Sequence, residues 1–112
     1  MTIKKSFGLA LKEVRRAKRM TQAECSALAE ITQAQWSSYE LGKSHVTLDN
    51  VIKMSKIFNV DPFILIMKSF DHLRFPQEFH LSVQDYEEFL VEIYNRRKEK
   101  IKAKLELLER EH

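Results

Sequence analysis

Few residues of this chain that could do covalent or metal chemistry stand at a useful spacing. There are four histidines, His45, His72, His80 and His112, and a single cysteine, Cys25. None falls at a metal-ligand spacing, and no nucleophile sits beside a base in the manner of a catalytic triad. No carboxylate pair stands out, and two glycines in all leave no glycine-rich phosphate loop. The expectation is a non-enzyme, with no cofactor and no metal. What remains is hydrogen-bonding chemistry, concentrated in Thr21 to Tyr39, TQAECSALAEITQAQWSSY.

Positioning that chemistry requires two short helices. Thr21 suits the N-cap of a helix from Gln22 to Ala29, and Thr32 the N-cap of a second from Gln33 onward. Glu24 and Gln35, each three residues after its threonine, complete the capping-box pattern. Two short amphipathic helices with only a tight turn between them can set one helix in a groove of DNA. A glutamine heading that helix presents an amide whose donor and acceptor match N6 and N7 of adenine.

Around this pair the periodicity is helical throughout. Phe7, Leu11 and Val14 mark a first helix from about Ser6 to Lys18, and Thr47 to Phe58 a fourth, with Leu48, Val51, Ile52, Ser55 and Phe58 inward. Asp61-Pro62 starts a fifth, the Asp as cap and the Pro at the first helical position. Trp36, Tyr39, Phe58 and the region of Phe63 are expected in the core, and Cys25 as a small buried apolar group. Residues 70–81, FDHLRFPQEFHL, form a connector whose apolar members (Phe70, Leu73, Phe75, Phe79, Leu81) should pack. Ser82 with Asp85 then opens a helix without Gly or Pro to Glu111. Its stripe is Val83, Tyr86, Leu90, Tyr94, Arg97, Ile101, Leu105 and Leu108, widened early by Phe89 and Ile93. The steps repeat every 11 residues and favour a nearly straight pairing.

Charge is unevenly placed. Residues 1–70 carry 11 Lys and Arg against 6 Asp and Glu, and residues 71–112 carry 8 against 10. The half with the helix pair is the basic half, as phosphate neutralisation requires. The basic run from Arg96 to Lys104 reads as a solvated helix face. One cysteine excludes an internal disulfide framework and fits a reducing cytoplasm. No apolar run approaches the ~18 residues of a membrane span, and no signal peptide is evident.

Residues 6–66 resemble the Cro and lambda-repressor type of helix-turn-helix domain, the XRE family. Arg15, Thr21-Gln22, Gln33, Glu40-x-Gly42-Lys43, Leu48, Met54 and Asn59-Val60 carry the resemblance. It implies an all-α fold, a five-helix lambda-repressor-like helix-turn-helix domain, here with a long C-terminal helix appended. The expected organisation is a DNA-binding domain over 1–69, the connector over 70–81 and a dimerisation helix over 82–112. Base contacts are expected from Gln33, Ala34, Ser37 and Ser38, and phosphate contacts from Gln22, Lys43 and Ser44. Lys4 and Lys5 could form an arm along the backbone. Arg15 and Glu40 match a structural ion pair of the family. Four departures stand out. Glu30 occupies a turn position that is normally Gly, with a slightly different turn expected in consequence, Trp36 stands for Ile or Val, Cys25 for Leu, and Leu41 for Arg or Asn.

The resemblance implies a cytoplasmic, nucleoid-associated transcriptional regulator, a repressor that binds double-stranded DNA as a homodimer on an inverted-repeat operator. Leu90, Tyr94, Ile101, Leu105 and Leu108 are the expected dimer contacts. A rival from another class stays open, because the same fold serves as the antitoxin of toxin–antitoxin pairs, with an added segment that binds the toxin protein.

Overall fold

Each α-helix among the described residues begins behind a side chain that accepts a hydrogen bond from a backbone N–H of the first turn. The caps are Thr2, Thr21, Thr32, Thr47, Asp61 and Ser82. Each satisfies a donor that the helix leaves unpaired, a contribution of about 1 kcal/mol apiece. The structure, a computed structural model, describes residues 1–111. Its helices are α1 (Ile3–Ala17), α2 (Gln22–Ala29), α3 (Gln33–Glu40), α4 (Leu48–Phe58), α5 (Pro62–Arg74) and α6 (Val83–Arg110), with a 3-10 turn at Gln77–Phe79. The expected all-α fold with a long C-terminal helix is the observed one. Capping boxes close fully at Thr21 and Ser82. At Thr32 the box is one-sided, with only the Gln35 backbone donating to the threonine.

Three helices stop in the same way. Arg19, Glu30 and Asn59 adopt left-handed backbone with φ of 56°, 59° and 53°. Behind each, the next residue donates back across the last turn: Met20 to Arg15, Ile31 to Ser26 and Val60 to Ser55. These are Schellman ends, which glycine or asparagine fills without strain. Glu30 therefore makes the turn usual for glycine, contrary to the expectation that it would force a different one. The backbone hydrogen bonds of the turn outweigh a strain of about 1 kcal/mol.

The core is one cluster assembled from every helix. Leu11 and Val14 of α1 meet Cys25 and Ala29 of α2, Trp36 and Tyr39 of α3, Val51, Met54 and Phe58 of α4, and Ile64 and Leu65 of α5. Trp36 is fully buried and meets Phe58 edge to face at 6.0 Å between centroids. α1 lies against both α5 and α3. Its crossing with α3 is so close that a Cβ on Gly8 would fall 2.5 Å from the carbonyl oxygens of Tyr39 and Glu40. The other glycine, Gly42 (φ 70°), touches the same crossing, where a Cβ would lie 2.7 Å from Lys5 Cα.

Several expectations from periodicity need correction. α1 starts at Ile3 instead of Ser6, because Thr2 supplies a cap, so Lys4 and Lys5 are helical and form no free arm. On α4 the inner face is Val51, Met54, Ser55 and Phe58, leaving Leu48 and Ile52 exposed. Phe63 is also exposed, since the next two residues of α5, Ile64 and Leu65, take the inward positions. α5 continues through residues 70–74 of the expected connector and ends before Pro76, which holds Phe75 extended (φ −123°, ψ 145°). The apolar residues of 70–81 do not pack inward, and Phe75 and Phe79 are 52% and 67% exposed. Polar contacts fix the segment instead: Leu81 N–H donates to Asp71, its carbonyl accepts from Lys68, and His80 meets the Phe75 carbonyl.

α6 docks only by its first turns. Tyr86 and Leu90 are buried in the common core, whereas every residue from Val91 to Glu111 is exposed. Leu90 is thus spoken for inside the protomer and is not available as an outward dimer contact. Among the described residues, no helix is long and apolar enough to cross a membrane.

Two substitutions test this account of turn and crossing. Glu30→Gly should raise stability by about 0.5–1 kcal/mol by removing left-handed strain. Gly8→Ala should lower it by about 1–3 kcal/mol or more, because backbone carbonyls cannot yield to the added methyl. Chemical denaturation of both variants measures this, and a neutral Gly8→Ala would contradict the close crossing.

Candidate nucleic-acid interface

The helix pair is organised around one carboxylate. Glu40, the last residue of α3, has a side chain 3% exposed, against 11% for that of Arg15. Arg15 Nε lies 2.6 Å from Glu40 Oε2 and Nη2 3.0 Å from Oε1, a bidentate pair between α1 and α3. Gln22 of α2 donates its amide to Oε1 at 3.1 Å, and the Trp36 indole N–H donates to Oε2. The remaining guanidinium nitrogen, Nη1, donates to the Met20 carbonyl at 2.9 Å. Helices α1, α2 and α3 are therefore tied at a single point, and the expected Arg15–Glu40 contact is present with two further donors.

Burial is the largest influence on the Glu40 carboxyl and pushes its pKa up. The hydrogen bonds from Arg15, Trp36 and Gln22 together outweigh it, so the carboxyl sits below the ordinary glutamate value. The same bond raises the Arg15 pKa. Cys25, packed beside this site and fully buried, has its thiol pushed up to about 11, chiefly by desolvation. At neutral pH it is a thiol and an apolar filler.

With its inner face fixed by Trp36, Tyr39 and Glu40, α3 turns the opposite face to solvent. Gln33 and Ala34 are exposed, and Ser37 and Ser38 are partly so. The four expected base-contact residues thus lie together on one side of α3. Ser38 Oγ is 2.6 Å from Ser44 Oγ, and the Lys43 backbone N–H donates to the Ser38 carbonyl at 2.9 Å. The loop after α3 is folded against the helix by these bonds, with the Lys43 side chain exposed. Gln22 departs from expectation, since its amide N–H is engaged with Glu40 and braces the fold instead of standing free for a phosphate. Its backbone N–H, at the open start of α2, keeps that possibility.

Sequence reasoning missed the second set of polar contacts that hold these helices. Asn50 of α4 donates to the Tyr39 hydroxyl at 3.2 Å, and Lys53 to the Ala29 carbonyl at the end of α2 at 2.8 Å. It also missed a buried charge cluster under α6. Lys68, 2% exposed, pairs with Glu13 of α1 and lies 3.8 Å from Asp71. Asp71 accepts the Tyr86 hydroxyl at 2.6 Å, and burial and that bond raise the tyrosine pKa. A signal was present, because Lys68 falls four and three residues after the apolar Ile64 and Leu65, on the inward face of α5.

Comparison with known proteins agrees with this geometry. The family model described as Helix-turn-helix matches residues 11–65, from the middle of α1 to the first turn of α5. The crystal structure of the restriction-modification controller protein C.AhdI from Aeromonas hydrophila is similar at 28% identity and a TM-score of 0.52, covering 55% of this chain and 92% of that one. The clp gene regulator ClgR from Corynebacterium glutamicum has the same fold, with a TM-score of 0.64 at 15% identity, covering 83% of this chain and 90% of that one. No curated protein gives a significant match.

Replacing Glu40 by Gln should cost about 2–4 kcal/mol, because Arg15 loses its bidentate charged partner in a dry site. The pH dependence follows from the lowered carboxyl. The unfolded state binds the extra proton near the ordinary glutamate value of about 4.3, so the contribution is complete above that value. It is lost as pH falls through the lower folded value. Melting curves from neutral to acid pH should show this loss in the parent chain and a flatter profile in Glu40→Gln. Parallel profiles would remove Glu40 from its central place.

Proposed function

We propose that this chain, whose residues 11–65 match a helix-turn-helix family model, is a DNA-binding transcriptional regulator that acts as a homodimeric repressor on an inverted-repeat operator. The observation that carries the reading is the outer face of α3. Gln33 and Ala34 stand bare at the head of a helix whose inner face is locked by the Glu40 contacts. In this reading α3 enters the major groove. Gln33 reads adenine, Ala34 touches a thymine methyl, and Ser37 and Ser38 make short-range contacts. Lys43, Ser44 and the backbone at Gln22 hold phosphates on either side. Side chains this short reach few base edges, so the shape and deformability of the operator supply part of the specificity.

Dimerisation follows from affinity and from α6. One small module makes too few contacts for tight specific binding. From Val91 onward α6 is exposed yet carries Tyr94, whose hydroxyl donates to Asp61, and Ile101, Leu105 and Leu108 at helical spacing. A helix without packing on a neighbour gains little stability of its own, and the stripe supplies the surface for a second copy. Organisation into a DNA-binding body up to residue 69, a link and a C-terminal association helix remains our reading, with Leu90 moved from interface to core. The same bare stripe suits a toxin protein, which keeps the antitoxin reading as the alternative.

Selection of bound duplexes from a randomised pool, near physiological salt, tests the DNA reading. Enrichment of a two-fold symmetric motif with half-sites about 34 Å apart is expected. Gln33→Ala should relax one adenine position at a cost of about 1–3 kcal/mol. Salt-sensitive binding that enriches nothing would leave only backbone attraction. For association, the double variant Leu105→Lys with Leu108→Lys should shift the solution mass from dimer to monomer. A variant that stays a tight dimer would exclude the distal stripe as the interface.

A further inference from the structure

The fold gathers Glu13, His72 and His80, which the sequence holds far apart. Glu13 comes from α1, His72 from α5 and His80 from the link that leads to α6. One candidate ligand atom from each residue lies within 4.8 Å of the others, and all three side chains are partly buried. His72 Nε2 is 3.2 Å from Glu13 Oε1, and the two imidazoles meet edge to face at 4.7 Å between centroids.

One hydrogen bond fixes which ring nitrogen of His80 donates. Its Nε2 lies 2.8 Å from the Phe75 carbonyl oxygen, which can only accept, so Nε2 carries the hydrogen. Neutral His80 then has its free lone pair on Nδ1. That atom is buried and, among the described residues, is the one buried side-chain polar atom without a hydrogen-bond partner. A native fold rarely leaves such an atom unmatched unless something else meets it. A backbone carbonyl holding the far nitrogen is also the usual way a ligating imidazole is oriented.

We propose that Glu13, His72 and His80 form a binding site for a borderline transition-metal dication of the Zn²⁺ class. Two imidazole nitrogens and one carboxylate oxygen suit Zn²⁺, Co²⁺ or Ni²⁺ over the hard, all-oxygen ions Ca²⁺ and Mg²⁺. Water completes the fourth position. Charge also fits: Lys68 takes the second oxygen of Glu13 and lies near Asp71, so the two carboxylates and the ammonium sum to −1 around neutral imidazoles. Ligands at 2.0–2.1 Å from a tetrahedral ion stand roughly 3.4 Å apart. Binding therefore draws the three side chains together by rotation and replaces the His72–Glu13 hydrogen bond, with neutral His72 carrying its hydrogen on the nitrogen that does not face the ion. The ion would staple α1 and α5 to the link that carries α6.

The experiment uses the full chain, stripped with chelator and titrated with Co²⁺. Saturation at one equivalent with the visible bands of four-coordinate Co²⁺ is expected. Zn²⁺ should displace the Co²⁺ and, at about a hundred times its Kd, raise Tm by roughly 10 °C. His72→Gln and His80→Gln should each abolish the bands and the Tm rise. His80→Gln keeps an amide donor for the Phe75 carbonyl, and helix content by circular dichroism verifies its fold. His45→Gln should bind as the parent does. No Co²⁺ bands and no Tm rise in the parent would overturn the site. So would binding that survives in folded His80→Gln, or binding that is lost in His45→Gln.

Discussion

The Glu40 carboxylate is the constraint on which the DNA-facing half of the molecule depends. Its two oxygens accept four hydrogen bonds, two from Arg15 of α1, one from Gln22 of α2 and one from Trp36 of α3 itself. Carrying a charge into a site this dry costs several kcal/mol, which only a complete set of donors offsets. The requirement is geometric as well as energetic, because the donors reach one carboxylate only if the three helices hold one mutual arrangement. Both glycines serve the same crossing: Gly8 lets α1 approach the last turn of α3, and Gly42 turns the chain away beside Lys5. The outward face of α3 is then determined by exclusion, since its inward face is bound.

The attachment of α6 is of a different kind. Tyr86 and Leu90 reach the common core, but much of what fixes the approach is polar. Buried Lys68 and Asp71 with half-buried Glu13 form a charge cluster that also holds the Tyr86 hydroxyl and both backbone groups of Leu81. Tyr94 adds a contact to Asp61 at the start of α5. The base of α6 is thus held in large part by ionisable groups, while the helix-turn-helix body combines apolar packing around Trp36 with the Glu40 contacts. Glu13 and Arg15 lie on the same helix, so α1 carries one partner of the charge cluster beneath α6 and one of the Glu40 site.

Helix existence and type could be read from residue order because caps and periodicity are local. Thr21, Thr32, Asp61 and Ser82 each cap a helix at the expected place, and Pro76 stops α5 by a steric effect on its immediate neighbour. The inward register of Trp36 and Tyr39, and with it the outward register of Gln33 and Ala34, also follows from spacing along one helix. Errors arose where a choice between neighbouring faces was made by partners distant in sequence. Leu48, Ile52 and Phe63 have the apolar character of core residues, yet α5 covers the face one position along. The phenylalanines of the link likewise read as buried, and stand exposed because polar bonds to Asp71 and Lys68 decide the path of the chain.

The amino-acid sequence by itself determined an all-α chain, most of its helix boundaries to within a few residues, the place but not the form of the turn between α2 and α3, and a basic N-terminal half suited to nucleic acid. These are properties of near neighbours, carried by hydrogen bonds and sterics within a turn or two. Only the tertiary structure decided that Gln22 braces Glu40, that Leu90 belongs to the core, that Lys68 is buried, and that Glu13, His72 and His80 meet. Each of those outcomes depends on residues tens of positions apart, brought together when apolar faces close on a common core. Spacing along the chain holds no information on such distances.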